Sequence, residues 1–236
     1  MKTEKRIKRL AETVFEMLNL FDRSVTVADI ATDHGYLAEQ LNEENRIEKV
    51  IATDISEKSL SKLKKLKEER KLGKVEPVVG DGLNPIEFVD ISIIAGIGGF
   101  EISKMLATQN NIDDGKIKCR YFVLQPAQNI EWLREWIYKN HFKVLSDRVV
   151  QDGKQFYPIV CVDVLKKEKN KISVENLFLG TTPDINDEDF VSFLKEKFES
   201  LMFLNNLPQN RIKKDENLRQ KCKLQKIIAK MLKNAK

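Results

Sequence analysis

The sequence predicts an α/β protein built on a doubly wound, mostly parallel sheet of seven strands, followed by a small α-helical hairpin. Short apolar runs alternate with segments whose apolar residues recur at helical spacing, which is typical of parallel βαβ units. Each of the first five runs ends in polar or glycine residues. The last two runs, 142–150 and 156–165, flank Asp152-Gly153, which predicts an antiparallel hairpin at the end of the sheet.

The predicted elements follow a regular order from the N-terminus. Residues 5–20 have the apolar spacing of an amphipathic helix, and residues 25–30 form a buried strand that turns directly into a helix at 36–44. Further strands and helices then alternate, at 50–54, 57–71, 75–79, 90–95, 100–108, 121–124 and 130–139. Since strands that alternate with helices pair in parallel, we expect the first five strands to form one parallel unit.

The composition changes at a charged linker, residues 166–171, beyond which the pattern is helical. Apolar residues recur at helical spacing after Asp187, a residue typical of helix N-caps, and again over residues 211–233. Two helices joined by a short loop form an antiparallel hairpin. We therefore expect two domains, residues 1–166 and a coiled-coil-like hairpin of residues 172–236.

The net charge of +5 is unevenly distributed along the 236 residues. Residues 205–236 contain ten Lys or Arg and two acidic residues, so this tail alone carries +8. Basic segments bind polyanions through phosphate contacts that do not depend on base sequence. A lysine-rich helix is also typical of an ordinary solvated surface, so the charge alone leaves both interpretations open.

Several classes of protein are disfavoured by composition. No apolar run has the length of a membrane span, and no apolar segment follows the basic start as it would in a signal peptide. The few cysteines and histidines are scattered, which disfavours a disulfide framework and a metal site: Cys119, Cys161, Cys222, His34 and His141. We expect a cytoplasmic protein without membrane or metal binding, either a monomer or a weak dimer.

Acidic residues at two strand ends are candidates for binding a nucleotide-like ligand. Ligands of open α/β sheets bind beyond the carboxyl ends of the strands, where the strand order reverses. Asp54, about twenty residues after the first turn, is where an acid binds a ribose diol. Asp81 could hold an adenine amino group. Each also has an ordinary interpretation, Asp54 as a helix-capping or turn acid and Asp81 as part of a turn-forming Gly-Asp-Gly.

The glycines around these strand ends do not follow the dinucleotide pattern. Gly96, Gly98 and Gly99 let the backbone approach a ligand closely, or simply form a tight turn between strand and helix. The first turn, residues 31–35, has one glycine and lacks G-x-G-x-x-G. An NAD-dependent oxidoreductase is therefore the weakest functional hypothesis.

Three motifs carry a specific resemblance. They are Asp-Ile-Ala-Thr-Asp-His-Gly-Tyr-Leu over 29–37, Ala-Gly-Ile-Gly-Gly over 95–99, and Leu-Gln-Pro-Ala-Gln-Asn over 124–129. The order of elements resembles that of the Rossmann-like class I S-adenosylmethionine methyltransferases. The motifs resemble those of the bacterial tRNA (adenine-N1)-methyltransferase family that acts on adenine 22, whose members also carry a helical C-terminal extension. Residues 1–165 follow that family in order and spacing.

This sequence departs from the family pattern at three points. Ala31 stands where the family has glycine, Gly35 stands where it has alanine, and Glu57-Lys58 stands where a Gly-Pro pair is frequent. The first two lie in the turn after the first strand, so the shape of the methionine pocket is expected to differ in detail.

The resemblance implies transfer of a methyl group from S-adenosylmethionine to N1 of adenine 22 in tRNA. The cofactor-binding residues that it implies are Asp29, Ala31, Asp33, His34, Asp54, Ile55, Asp81, Gly82, Ala95, Gly96 and Ile97. The implied substrate-binding residues are His34, Tyr36, Pro126, Asn129, Arg211, Lys213 and Lys214. The implied catalytic residues are Asp33, Tyr36 and Gln125.

The implied roles of Asp33, His34, Tyr36, Gln125 and Asn129 can be compared with the chemistry of methyl transfer to adenine N1. Adenine N1 already has a lone pair, and the methylated ring is cationic, so a carboxylate such as Asp33 would stabilise the developing charge or accept from the N6 amino group. Removal of an N6 proton by Asp33, or simple capping of the next helix, are alternatives. His34 and Tyr36 could stack on an extruded base or merely pack. Gln125 would contact the adenine, and Asn129 could instead cap a helix.

The sequence is also compatible with two other classes of function. One is a methyltransferase for another substrate, such as ribosomal RNA, a protein or a small molecule. The other is an RNA-binding protein whose methyltransferase domain has lost turnover. The retention of Asp54, Asp81, Gly96 and the Gln125-Pro126 pair argues against lost turnover.

Overall fold

The computed structural model describes residues 5–110, 117–169 and 172–235, so residues 170 and 171 of the predicted linker lie outside it. Seven strands form one sheet in the order β3-β2-β1-β4-β5-β7-β6. They are β1 (Val25–Ile30), β2 (Ile47–Asp54), β3 (Val75–Val79), β4 (Val89–Ala95), β5 (Cys119–Gln125), β6 (Phe142–Asp152) and β7 (Gln155–Lys167).

The predicted topology is confirmed. Strands β1 to β5 pair in parallel, whereas β7 pairs antiparallel with both β5 and β6. The strand order reverses between β1 and β4, because the chain first builds outward to β3 and then returns to the other side of β1. This reversal point is where a ligand is expected in such a sheet.

Helices cover both faces of the sheet, and each face has its own apolar core. One face carries α1 (Lys5–Met17), a short 3-10 helix (Leu18–Leu20), α2 (Tyr36–Asn42) and α3 (Glu57–Arg70). The other carries α4 (Gly99–Gln109) and α5 (Ile130–Lys139). Strand β4 is buried along almost its whole length between these layers, and it is mostly apolar, as expected of a central strand, apart from Asp90 and Ser92.

The C-terminal part is helical as expected, but its described residues, 172–235, form four α-helices rather than two. They are α6 (Val174–Leu179), α7 (Glu188–Ser200), α8 (Gln209–Lys214) and α9 (Glu216–Asn234), with a 3-10 helix at Met202–Asn206. The predicted helix over 211–233 is interrupted at Asp215, whose backbone is extended and whose side chain accepts the Leu218 N–H. Asp215 thus ends α8 and caps α9.

A buried ion pair joins the C-terminal helices to the sheet domain. Arg134 of α5 and Asp147 of β6 form two hydrogen bonds of 2.9 and 2.8 Å, and their side chains are 3% and 1% exposed. Arg134 also donates to the Leu177 carbonyl of α6, and Asp147 accepts the Thr181 N–H of the following loop. Since every charge is matched, this polar joint is compatible with burial.

Candidate active site

The turn after β1 places one carboxyl group in the interior and a second on the surface. Asp29 is 4% exposed and accepts a 2.5 Å hydrogen bond from the Thr32 hydroxyl. Ala31 and Asp33 both have left-handed backbones, with φ of 58° and 49°, which reverse the chain sharply and leave Asp33 exposed. Ala31 therefore occupies a conformation that favours glycine, the residue the family pattern has there.

A cavity of about 320 Å³ opens beside this turn, at the carboxyl ends of β1, β2, β3 and β4. Its volume lies in the range of about 300–1,000 Å³ that is common for small-molecule sites. Six predicted cofactor-binding residues line it: Ala31, Asp54, Ile55, Asp81, Gly82 and Ile97. The other five lie outside the wall: Asp29, Asp33 and His34 in the turn after β1, and Ala95 and Gly96 beside the end of β5.

Asp54 connects this cavity to the turn after β1. Its carboxylate accepts the Asp33 N–H at 3.1 Å and the Ser56 N–H at 2.8 Å. The helix-capping interpretation of Asp54 does not hold, because the N-cap of α3 is Ser56, whose hydroxyl accepts the Ser59 N–H. Asp54 instead braces two loops while lining the cavity.

One wall of the cavity was not predicted. Residues from one side of α4 line it: Glu101, Lys104, Met105, Thr108 and Gln109. The Gln109 side chain also accepts the Leu83 N–H at 2.7 Å, which holds the loop after β3. Their spacing of three and four residues marks a single helix face. The spacing could have identified the face, but only the packing of α4 shows that it borders the strand ends.

Asp33 ends a short chain of side-chain hydrogen bonds. The Lys62 ammonium lies 3.1 Å from His34 Nε2, and His34 Nδ1 lies 2.6 Å from the Asp33 carboxylate. An ammonium group only donates, so Nε2 accepts and Nδ1 carries the proton that is donated to Asp33. Asp33 does not cap α2, since the N-cap is Gly35 and no side chain caps that helix.

His34 and Tyr36 stack on one another at the same turn. Their ring centroids are 5.6 Å apart and their planes differ by 10°. A base that stacks here would meet an outer face of one ring, because the two rings already contact each other. Both side chains are partly exposed, as a base-binding role requires.

Gln125 is less accessible than the sequence suggests. It is fully buried, its amide oxygen accepts from Arg6 Nη1 at 3.0 Å, and its amide nitrogen donates to the Pro126 carbonyl at 2.8 Å. Pro126 is buried as well. Arg6 of α1 thus occupies the polar side of Gln125, and contact of Gln125 and Pro126 with the adenine edge stays a prediction.

The loops after β4 and β5 are held tightly together. Ala127 N–H donates to the Ile97 carbonyl, Gly99 N–H donates to the Gln128 carbonyl, and a Cβ on Gly99 would lie 2.5 Å from the Asn129 carbonyl oxygen. Asn129 occupies the N-cap position of α5, but its side chain makes no capping hydrogen bond and the residue is exposed. Its side chain thus faces solvent beside these loops.

Burial changes the acidity of Asp29. Loss of solvent, with a smaller contribution from the nearby Asp54 carboxylate, raises its pKa from the usual 3.8 to about 7, although hydrogen bonds from the Thr32 hydroxyl and the Ala38 N–H oppose the shift. The carboxyl beneath the turn is therefore partly protonated near neutral pH. This interior group differs in character from the exposed Asp33.

The predicted basic residues of the C-terminal part all reach solvent. Arg211, Lys213 and Lys214 are exposed on α8, which is anchored by the buried Ile212. Within the described residues, no cluster of three or more potential metal ligands occurs. In the same part of the chain, no helix combines the length and apolarity needed to cross a bilayer.

Solved structures with the same fold align over almost the whole chain. A proposed tRNA (m1A22) methyltransferase from Streptococcus pneumoniae matches with a TM-score of 0.76 and 24% identity, covering 98% of this chain and 100% of that one. TrmK of M. capricolum, in complex with S-adenosyl-homocysteine, matches with a TM-score of 0.71 and 21% identity, covering 100% and 98%. These similarities confirm the Rossmann-like methyltransferase fold.

Comparison with known sequences shows to which family this chain belongs. A proposed tRNA methyltransferase of Mycoplasma pneumoniae is 28% identical over 178 residues, which are 74% of this chain and 79% of that protein. The sequence profile of the tRNA (adenine(22)-N(1))-methyltransferase family matches residues 27–233. Since that match spans the sheet and the C-terminal helices alike, this chain belongs to the tRNA (adenine(22)-N(1))-methyltransferase family.

Proposed function

We propose that the chain transfers a methyl group from S-adenosylmethionine to N1 of adenine 22 in tRNA, with the cofactor in the cavity beside Asp54 and Asp81. One observation carries the proposal: two carboxylates and apolar side chains from four strand ends line one cavity directly beside the exposed turn of Asp33, His34 and Tyr36. The reaction that we assign to this arrangement, methyl transfer to N1 of adenine 22, follows from family membership.

The lining of the cavity fits the cofactor. Asp54 would accept from the ribose diol, and Asp81 would accept from the adenine amino group. Ile55, Ile97 and Met105 provide apolar surface for a flat ring, and Ile55 is 76% exposed, so its side chain is accessible to such a ring. When bound, the cofactor supplies a methyl group on a positively charged sulfur.

Asp33 is the side chain that we assign to the reacting base. Since adenine N1 has a lone pair, no proton must leave before attack, and alignment of donor and acceptor provides most of the catalysis. The Asp33 carboxylate, oriented by His34, would stabilise the positive charge that develops on the ring. His34 and Tyr36 would offer a stacking face for the extruded adenine.

We assign the C-terminal helices, within the proposed 172–236 domain, to tRNA binding. Exposed basic residues concentrate on α8 and α9, among them Arg211, Lys213 and Lys214. A cleft of about 350 Å³ runs from Ala127, next to the candidate site, to Phe193 of α7. RNA lying along this cleft would connect the basic helices with the catalytic edge of the 1–166 domain. Activity in the cytoplasm as a monomer or weak dimer remains a prediction.

The proposed reaction can be tested by identifying its product. The purified chain is incubated with radiolabelled S-adenosylmethionine and unmodified bulk tRNA, and the tRNA is then digested to nucleosides. We expect the label in N1-methyladenosine. Label in another nucleoside would contradict the assigned substrate, and failure to bind the cofactor would contradict the proposed cavity.

A further inference from the structure

The helix α3 carries an unusual concentration of positive charge. Residues 57–74, which contain α3 and the turn after it, include eight Lys or Arg and three Glu, a net charge of +5 that equals that of the whole chain. Of these basic residues, Lys62 contacts the assigned sites through its hydrogen bond to His34, and the assigned chemistry gives the others no role. The charge is therefore not explained by the proposed chemistry.

Three of these lysines form a stripe on the solvent side of α3. Lys58, Lys62 and Lys65 are spaced by four and three residues, so they lie on one face, opposite the buried Leu60 and Leu63. With a rise of 1.5 Å per residue, the stripe extends over about 10 Å. We refer to Lys58, Lys62 and Lys65 as the lysine stripe.

The stripe is only weakly neutralised. Lys65 has one carboxylate partner, Glu69, at 3.8 Å, and among the described ion pairs neither Lys58 nor Lys62 has one. All three side chains are exposed. Exposed ammonium groups with so few carboxylate partners are available to a polyanion.

The stripe lies next to the turn that we assign to the target base. A Cβ on Gly35, whose φ is +77°, would lie 2.3 Å from Leu63 Cδ1, so α3 packs directly onto this turn. From the same part of the helix, Lys62 reaches His34 Nε2 at 3.1 Å. The lysine stripe therefore begins within hydrogen-bonding distance of the candidate active site.

The stripe and the C-terminal helices lie on opposite sides of that site. Helix α3 connects β2 to β3, at one end of the sheet, whereas α7 packs on β6, the strand at the other end. The site lies between them, at the reversal of strand order next to β1. RNA that entered from the C-terminal helices alone would be held on one side of its target base.

We propose that the lysine stripe of α3 binds phosphates of the same tRNA, on the far side of the target adenine from the C-terminal helices. This inference rests on the proposed function, since it names a second contact surface for that substrate. Holding the backbone on both sides of one nucleotide would stabilise the extrusion of its base, which costs unstacking energy. Charge complementarity selects phosphate as the group that is bound.

The test compares two triple variants of the same helix. The first is Lys58→Met, Lys62→Met and Lys65→Met. The matched control is Lys64→Met, Lys67→Met and Lys71→Met, which removes the same charge from the side of α3 that faces Pro77 and lies away from the turn. Binding of unmodified tRNA is measured over a series of salt concentrations, with thermal unfolding to verify folding and methyl transfer by the wild type measured in parallel.

We expect the stripe variant to reduce the slope of log affinity against log salt by about 2 to 3, as loss of three phosphate contacts would. The control should keep most of the wild-type slope. Equal effects of both variants, or no effect of the stripe variant, would overturn the inference while leaving the proposed function intact if the wild type still methylates tRNA. A wild type that binds no tRNA would overturn both.

Discussion

Asp33 occupies the turn where substrate and cofactor would meet, and its chemistry can be separated from its structural role. Replacement by Ala removes the carboxylate but no helix cap, because the N-cap of α2 is Gly35. We expect kcat to fall roughly 10²-fold, the typical cost of losing one preorganised electrostatic partner, with little change in the affinity for S-adenosylmethionine. Steady-state kinetics and calorimetric titration of the cofactor give the two quantities.

Asp33→Asn is the control for that experiment. It retains the size of the side chain and an oxygen that accepts from His34, but it carries no charge. We expect it to be nearly as slow as Asp33→Ala if charge stabilisation is the role. Equal loss of cofactor affinity and kcat in both variants would identify Asp33 as a binding or folding residue instead.

Asp29 gives the protein a pH dependence whose sign can be stated. Because burial raises its pKa from 3.8 to about 7, the folded state keeps this proton while the unfolded state loses it. The contribution of this proton to the free energy of unfolding is fully present below about pH 4. It is lost as the pH rises to about 7, at about 1.4 kcal/mol per pH unit. The Asp29→Asn variant has no titratable group at this position, so it lacks this pH dependence.

The measurement is urea unfolding of wild type and Asp29→Asn at pH 5 and pH 8. The free energy of unfolding of the wild type, relative to the variant, should fall by about 3 kcal/mol over this interval. A difference between the two proteins that is the same at both pH values would show that the carboxyl ionises normally despite its burial.

The candidate-site residues whose positions the sequence predicted are those whose positions follow from the local sequence pattern. Asp54 and Asp81 directly follow apolar strands, so their place at the carboxyl edge is already implied by the order of elements. The burial of Gln125 is different, because it depends on Arg6, which is 119 positions away in sequence. The Lys62 contact with His34 has the same long-range origin.

At the scale of elements, the joint between α5, β6 and α6 depends on one buried ion pair. Replacing Arg134 by Met leaves the Asp147 carboxylate buried without a charged partner, and breaking such a pair costs about 3–5 kcal/mol. We expect a corresponding loss in the free energy of unfolding, measured with urea. The control is Arg148→Met, which breaks an exposed pair with Glu16 and should cost less than about 1 kcal/mol. Similar losses in both variants would contradict this assignment.

The strands were predictable as elements because the core layers on the two faces of the sheet require mostly apolar residues in the central strands. The ends of the helices were less predictable from the sequence. The break at Asp215 divides an otherwise continuous helical pattern, and it becomes visible only because the side chain accepts the Leu218 N–H. Likewise the face of α4 that lines the cavity has an ordinary helical spacing, and the tertiary packing decides what it borders.

At the scale of the whole molecule, one sheet edge lies between two basic regions, the C-terminal helices and the lysine stripe of α3. The cofactor cavity and the turn of Asp33 lie at that edge, near the reversal of strand order. This arrangement accounts for the distribution of charge towards α3 and the C-terminus. It also agrees with an enzyme that holds a large polyanion while it modifies one base.

Methylation of N1 at adenine 22 can be tested with a pair of tRNA transcripts that differ only at nucleotide 22. Each transcript is incubated with the chain and S-adenosylmethionine, and then copied by reverse transcription, which stops at a base whose pairing edge carries a methyl group. We predict a stop at nucleotide 22 in the adenine transcript and none in the guanine transcript. Methylation elsewhere, or equal methylation of both transcripts, would contradict the assignment of adenine 22 as the target.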